Sequence, residues 1–339
     1  MNSNLIKVCL VGCGWIGEEH AKAYKQLQDQ GRVEFYTCDI DPDKAKLFAD
    51  RYGAKSFFTN YEDVLNSSIE VVDICLPHNQ HADATVLAAK AGKHILLEKP
   101  LATNLEEANR IYEVIKTSGI NFMVAENWRF IPSIRIAKEF LDRQEIGEPI
   151  LIQGNSIQYF VPPGWRRNIA ITGGGVLIDR GIHLVDMLYY LGGEVKSVYA
   201  LANHRSILEM EGEDTVVVVL NFENGTIGNL IVTWGAKNPL TQPLFVVYGT
   251  EGTIWEDSNE VYILKKEDKK KIYQARGEDN SILEEISHFI DCIVNNREPL
   301  VTYEIARKDL EIILEAYKSI QNNKVTSFPL LKEEDQILC

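Results

Sequence analysis

At 339 residues the chain is long for one ordinary core, and length alone favours two domains. It holds 35 basic against 49 acidic side chains, a net charge of −14. That balance excludes a basic nucleic-acid groove and an anionic-membrane surface as the main business of the chain. Hydrophobic residues at 45% and charged residues at 25% are ordinary for a globular protein.

The opening MNSNLIKVCLVG runs straight into an apolar stretch, with no basic segment ahead of a long apolar one. No signal peptide is expected, and no apolar run reaches the ~18 residues that span a membrane. The six cysteines form no CxxC pair and no Cys/His cluster. Reduced thiols in a cytoplasmic protein are expected, with no disulfide and no metal site.

LIKVCLV (5–11) is a short branched apolar run of the kind that forms a strand covered on both faces. A helical pattern follows from Trp15 to about Gln28, then a strand at 33–38 and a helix opened by Asp41 and Pro42. Strands at 71–77, 94–100 and 120–127 alternate with helices at 81–92 and 105–119. This alternation means a parallel, doubly wound sheet of the α/β class, a Rossmann domain over 1–127.

The first strand-to-helix turn is Gly12-Cys13-Gly14-Trp15-Ile16-Gly17, a G-x-G-x-x-G. In this setting Gly12 permits the tight turn, Gly14 lets backbone approach a pyrophosphate, and Gly17 lets helix pack on sheet. The helix N-terminus then faces the phosphates. Asp39 follows Gly17 by 22 residues, where a carboxylate accepts from both ribose hydroxyls of NAD and repels the 2′-phosphate of NADP. Ile40 offers no cation for that phosphate, so NAD is favoured over NADP. Ligands in such sheets lie beyond the carboxyl ends of the strands. Two further strand ends are therefore candidates: Pro77, His78, Asn79 and His81, and the triplet Glu98-Lys99-Pro100. A proline after Lys99 disfavours helical backbone there, so the lysine projects from a buried strand's end.

After Asn127 the pattern changes. A helical segment closes at Gly147 and Pro149, and alternating runs follow at 150–160, 195–204, 214–235, 243–257 and 260–266. They predict a large, mostly antiparallel open sheet in a second, α+β domain over 128–331. The run KKEDKKK (265–271) is expected to be a solvated hairpin end. Helices are expected at 281–295 and 303–322, the latter packing back on the Rossmann domain, and a frayed tail from Lys332 to Cys339.

Within this half, GGGVLIDRGIHLVD (173–186) places three glycines before an apolar segment carrying Asp179, His183 and Asp186. On a helix at 100° per residue these three share one narrow polar stripe, about 60° wide. The bland reading is a satisfied ion network with a core histidine. The sharper one is an active-site helix, with the glycines letting backbone come close to a ligand and Trp165 and Arg166 of GWRR just upstream.

GCGWIG, DIDP, EKP at 98–100, NWRF at 127–130 and GGGVLIDRGIHLVD together resemble the Gfo/Idh/MocA family (glucose–fructose oxidoreductase, inositol dehydrogenase, rhizopine catabolism) over nearly the whole length. The resemblance implies NAD(P)-dependent oxidoreduction of sugars, inositols or related polyols, with Lys99, Asp179 and His183 as the catalytic set. It implies substrate contacts for Lys99, Asn127, Arg129, Trp165, Arg166, Asp179 and His183, and homodimers or homotetramers built on the open sheet face. Arg180 stands where a hydrophobic residue is common, and with Trp165, Arg166 and Arg167 it would suit a phosphate or carboxylate. A nucleotide-sugar or amino-sugar 3-dehydrogenase is therefore one alternative. A non-enzymatic dinucleotide sensor on the same fold is another.

Overall fold

The computed structural model describes residues 5–275, 277 and 279–328; the tail from Lys332 onward lies outside the described residues. In chain order the first elements are β1 (Ile6–Val11), α1 (Trp15–Asp29), β2 (Val33–Cys38), α2 (Pro42–Tyr52), β3 (Phe57–Phe58) and α3 (Tyr61–Leu65). They continue with β4 (Val71–Ile74), α4 (His81–Lys90), β5 (His94–Glu98), α5 (Leu105–Ser118) and β6 (Phe122–Ala125). The six strands form one sheet in the order β3-β2-β1-β4-β5-β6, parallel throughout. β4 and β6 are buried at every position, as strands covered by helices on both faces are. The strand order reverses between β1 and β4, which is where such sheets hold ligands.

Local chemistry fixes the helix ends. Asp41 caps α2 by accepting from the amides of Asp43 and Lys44, Pro42 occupies its first turn, and Gly53 ends it in the left-handed region. Asn104 caps α5 through the Glu107 amide, and Gly119 ends it the same way. The short elements β3 and α3 have no counterpart in the sequence pattern, since two and five residues are too few to show a period.

The chain continues with a 3₁₀ turn (Asn127–Phe130), α6 (Pro132–Asp142), β7 (Pro149–Ile157), α7 (Ile169–Thr172), a π-helical turn (Leu177–Gly181) and α8 (Ile182–Gly192). Then come β8 (Val195–Asn203), β9 (Thr215–Phe222), β10 (Ile227–Thr233), β11 (Phe245–Gly249), β12 (Thr253–Asp257), β13 (Glu260–Lys265) and β14 (Asp268–Gln274). The last elements are α9 (Ser281–Asn295), α10 (Tyr303–Asn322) and β15 (Thr326–Ser327).

The second sheet has nine strands in the order β14-β13-β12-β11-β7-β10-β9-β8-β15. It is antiparallel except for the β7–β10 pair, which runs parallel and makes the sheet mixed. Its strands alternate: in β9, Val216, Val218, Leu220 and Phe222 point into the core. Burying each such side chain contributes about 1.5–3 kcal/mol. Helix α8 covers this face at close range. A Cβ on Gly154 of β7 would stand 2.8 Å from Leu188 and 2.9 Å from Met187. The lysine run forms the β13–β14 hairpin, and Lys269 lies over the rings of Trp255 and Tyr262. An edge strand of exposed lysines resists pairing with another chain.

The chain divides into two compact units. One takes residues up to Pro132, with Ala170–Gly173 and Gly277–Leu310; the other takes Ser133–Ile169, the run from Gly174 through β14, and the chain from Glu311 onward. Within the first, Arg32 beyond α1 bonds Ser287 and Asp291 of α9, while Tyr303 and Arg307 of α10 bond Ala108 and Asn109 of α5.

Candidate functional site

In the first unit, the turn after β1 is built by steric necessity. Gly12 has φ +104°, and a Cβ there would lie 2.3 Å from the Cys75 carbonyl oxygen of the chain leaving β4. A Cβ on Gly17 would lie 2.2 Å from the Gly12 oxygen, so only glycine lets α1 sit this close. Gly14 differs: a Cβ there meets nothing within 4 Å, and as the N-cap of α1 it provides no side-chain cap. Open space in front of uncapped helix amides is what a pyrophosphate requires. Trp15 beside it is 67% exposed, and Ile16 is half-buried. Asp39 closes the turn: its carboxylate accepts from the Cys13 amide at 2.8 Å and the Asp41 amide at 2.9 Å. These bonds fix the carboxylate beyond the end of β2, with Ile40 exposed next to it. The residues present fit a dinucleotide with an unmodified ribose.

The loop after β4 is tied down from within. His78 is buried, with Nδ1 3.0 Å from the Thr172 carbonyl oxygen; Pro77 is half-buried and Asn79 exposed. His81 is fully buried, its ring nitrogens 2.7 Å from the Pro100 carbonyl oxygen and 2.9 Å from that of Leu76. It therefore anchors the backbone just past Lys99. The Lys99–Pro100 peptide is cis. Glu98 is buried at the end of β5, and Lys99 is only partly covered.

Past β6, Glu126 is enclosed. Burial raises its carboxyl to about 7, against the lowering pull of Lys99. Asn127 donates to Ser281 Oγ at 2.8 Å, and Arg129 is 5% exposed, its charge also lowering Glu126. His20 of α1 lies between Asp73 and Glu98, at 2.7 and 3.1 Å. Neither His20 nor Glu126 stands out in sequence: one sits on an ordinary helix stripe, the other ends an apolar strand.

In the second unit, Gly174 and Gly175 of the glycine run have a specific cause. A Cβ on Gly174 would fall 2.0 Å from the Tyr317 hydroxyl, and one on Gly175 would fall 2.2 Å from the Glu213 carbonyl oxygen. Gly173 takes φ +82°. The space so gained admits the Glu213 side chain, which accepts from the amides of Gly175 (3.0 Å) and Leu177 (2.9 Å) and from Tyr317 (3.0 Å). Glu213 thus caps the start of the segment carrying Asp179 and His183 from outside it. Burial pushes its carboxyl up, opposed first by the Leu177 amide. Nothing local in the sequence marks Glu213 or Tyr317, because both arrive from far along the chain. Gly174 and Gly175 thus serve close internal packing.

The segment itself departs from a uniform helix. Leu177–Gly181 forms a π turn, and α8 begins at Ile182. A π turn closes i→i+5 bonds and takes in more residues, so Asp179 and His183 lie about one turn apart. π turns cluster at functional sites. Asp179, His183 and Asp186 are 6%, 7% and 0% exposed, so each sits inside the fold. Asp179 Oδ2 lies 3.1 Å from Arg166 Nε, and that guanidinium stacks over Trp165, 4.5 Å from its ring centre. The neighbouring cations are also engaged: Arg167 Nε donates to the Pro162 carbonyl (2.7 Å) and Arg180 Nε to Ser156 Oγ (3.0 Å).

Residues 6–126 match the model of the Gfo/Idh/MocA oxidoreductase family with an NAD-binding Rossmann fold, and residues 134–255 match the Gfo/Idh/MocA C-terminal domain. Levoglucosan dehydrogenase of Pseudarthrobacter phenanthrenivorans is 30% identical over 283 residues, 74% of this chain and 73% of its own. The scyllo-inositol 2-dehydrogenase (NAD(+)) of Bacillus subtilis is 30% identical over 332 residues, 94% of each chain. A solved structure of levoglucosan dehydrogenase with NADH aligns at TM-score 0.88 and 24% identity, covering 96% of this chain and 100% of that one, which is a likeness of fold.

Proposed function

Because the chain belongs to the Gfo/Idh/MocA family, and is thereby an NAD-binding oxidoreductase acting on CH–OH groups, we propose that it oxidises a secondary alcohol of an uncharged sugar or inositol. Residues 1–127 hold the cofactor and 128–331 the substrate. Gly12, Gly14 and Gly17 cradle the pyrophosphate at the start of α1, and Asp39 takes the ribose hydroxyls. When bound, NAD accepts the hydride from the carbinol carbon.

The rest falls to three side chains. His183 removes the hydroxyl proton as general base, since an imidazole titrates near neutrality and can also return the proton in the reverse direction. Asp179, about one turn earlier, orients that ring and offsets its positive charge. Lys99 donates to the same substrate oxygen as negative charge develops on it. The products are a ketone, NADH and a proton held on His183. The observation that carries this reading is the buried Asp179/His183 pair on a π-to-α junction clamped by Glu213 and Arg166.

An uncharged substrate is favoured over a nucleotide sugar because Arg166, Arg167 and Arg180 already serve Asp179, Pro162 and Ser156. The named relatives, a levoglucosan and an inositol dehydrogenase, point the same way. Homo-oligomerisation is supported by Ile150, Leu201, Val219, Ile227 and Tyr248, apolar side chains exposed along the nine-stranded sheet. Among the described residues no helix is long and apolar enough to cross a membrane. The free buried cysteines at 9, 13, 38, 75 and 292 suit a reducing, cytoplasmic setting.

The test is a panel of inositols, aldoses, anhydrosugars, amino sugars and nucleotide sugars with NAD, following absorbance of the reduced cofactor. Turnover confined to uncharged polyols is expected. Turnover confined to the charged compounds would reassign the substrate, and tight NAD binding with no turnover at all would favour a sensor.

A further inference from the structure

Beneath Lys99 lies a group of ionisable side chains that the proposed reaction does not use. His20 on α1 is fully buried, its Nδ1 2.7 Å from Asp73 Oδ2 on β4 and its Nε2 3.1 Å from Glu98 Oε1 at the end of β5. Cys75 Sγ lies 3.6 Å from the same Nδ1. The hydroxyl of Tyr24, one turn along α1, also faces Asp73. From α9 comes Glu285, fully buried, with neither carboxyl oxygen hydrogen-bonded. Glu126 at the end of β6 completes the set.

His20, Asp73 and Cys75 place ligand-type atoms within 4.8 Å of one another, the arrangement of a metal site. The shortest separation argues otherwise. Two donors each about 2.1 Å from one ion sit about 3.4 Å apart in a tetrahedral site, and 2.7 Å is a hydrogen-bond distance.

Each ring nitrogen of His20 faces a carboxylate-type oxygen, and an imidazole donates to both only when doubly protonated. Burial opposes the charged ring, but Asp73 and Cys75 beside it outweigh that cost and hold His20 well above the ordinary imidazole range. The remaining acids fit that assignment. Burial and the neighbouring carboxylates Glu98, Glu126 and Asp73 drive Glu285 well above the usual range even against His20, which favours its neutral form. Glu98 is covalently next to Lys99, and Pro100 on the other side is held by His81. The Glu98-Lys99-Pro100 segment is thus clamped by a buried histidine at each end.

We propose that His20 is a permanent imidazolium and a positioning residue for Lys99: its charge fixes Glu98, and with it the end of β5 from which the lysine used in the reaction extends. This rests on the reading of Lys99 as a donor to the substrate oxygen.

Two experiments test it, one of them independent of turnover. In the wild-type protein with ¹⁵N-labelled histidine, the seven side chains are followed from pH 6 to 9, with His20 assigned by the response to Glu98→Gln. Both His20 ring nitrogens are expected to carry protons throughout; an unprotonated ring nitrogen at pH 7 overturns the imidazolium. In kinetics, His20→Gln is expected to lower kcat about 10- to 100-fold while the NAD Kd stays within about threefold. The same change made in a Lys99→Met background is expected to lower kcat less than about threefold, because the two act through one amine. Losses that multiply across the two variants overturn the positioning role. Wild-type turnover in Lys99→Met alone would instead remove the donor role of Lys99, leaving the charge on His20 to be judged by its spectrum.

Discussion

Glu126 offers a prediction whose size and sign both follow from its surroundings. Its carboxyl is enclosed, and burial lifts it from 4.5 to about 7 although Lys99, the Trp128 amide and Arg129 all pull it down. A folded-state value above the unfolded one means the folded protein holds that proton more tightly. Below about pH 4.5 both states are protonated and Glu126 costs nothing. As pH rises from 4.5 to 7 the unfolded chain ionises first, so stability is lost progressively, and above 7 the loss is constant. At 1.36 kcal/mol per tenfold, the full cost is about 3 kcal/mol. Glu126→Gln retains an oxygen able to accept from the Trp128 amide and cannot ionise. The variant is expected to melt close to the wild type at pH 4.5 and to gain about 5–10 °C relative to it by pH 8 in the transition of the first unit. Differential scanning calorimetry of both proteins across that range measures this directly. A difference that does not change with pH would refute the reasoning, because only the ionisation depends on pH.

Glu213→Ala removes the acceptor for the Gly175 and Leu177 amides and the Tyr317 hydroxyl, and each buried donor left unpaired costs about 1–3 kcal/mol. Its second unit should melt well below the wild type, and an unchanged melting temperature would mean that the clamp is idle. Gly174→Ala should be destabilising by at least about 2 kcal/mol, since its new methyl would collide with Tyr317; in thermal melts, wild-type stability would show that the segment has room to shift. Asp39→Asn keeps a side-chain oxygen at the end of β2 but removes the charge. By titration calorimetry NAD should bind about tenfold more weakly and NADP more tightly, and an unaltered preference would take Asp39 out of cofactor selection.

The alternating βα pattern was legible because β1, β4, β5 and β6 are short, mainly apolar and largely buried runs, and because Asp41 and Pro42 open α2 at the expected place. Likewise Gly12 and Gly17 followed from turn chemistry, and the structure supplies the atoms they avoid. What sequence could not show is what arrives from a distance. Glu213 and Tyr317 explain Gly174 and Gly175, yet neither sits in a motif. The same holds for His20, whose carboxylate partners lie 53 and 78 residues away. A helical wheel at 100° per residue placed Asp179 and His183 on one face, but it could not foresee the π turn that sets their spacing. Nor could alternation reveal that β7 and β10 run parallel, since strand direction leaves the inside–outside period unchanged. Nor could sequence show that Arg166 lies against Asp179, the acid proposed to serve His183.

If His183 is the base of an NAD-dependent alcohol oxidation, removing its imidazole costs turnover and spares cofactor binding. His183→Ala and the wild type are titrated with NAD by calorimetry and assayed for turnover on the best substrate of the panel. The expected result is an NAD Kd within about threefold of wild type and a kcat lowered about 10²-fold or more. A variant that binds NAD normally and turns over at the wild-type rate would contradict it.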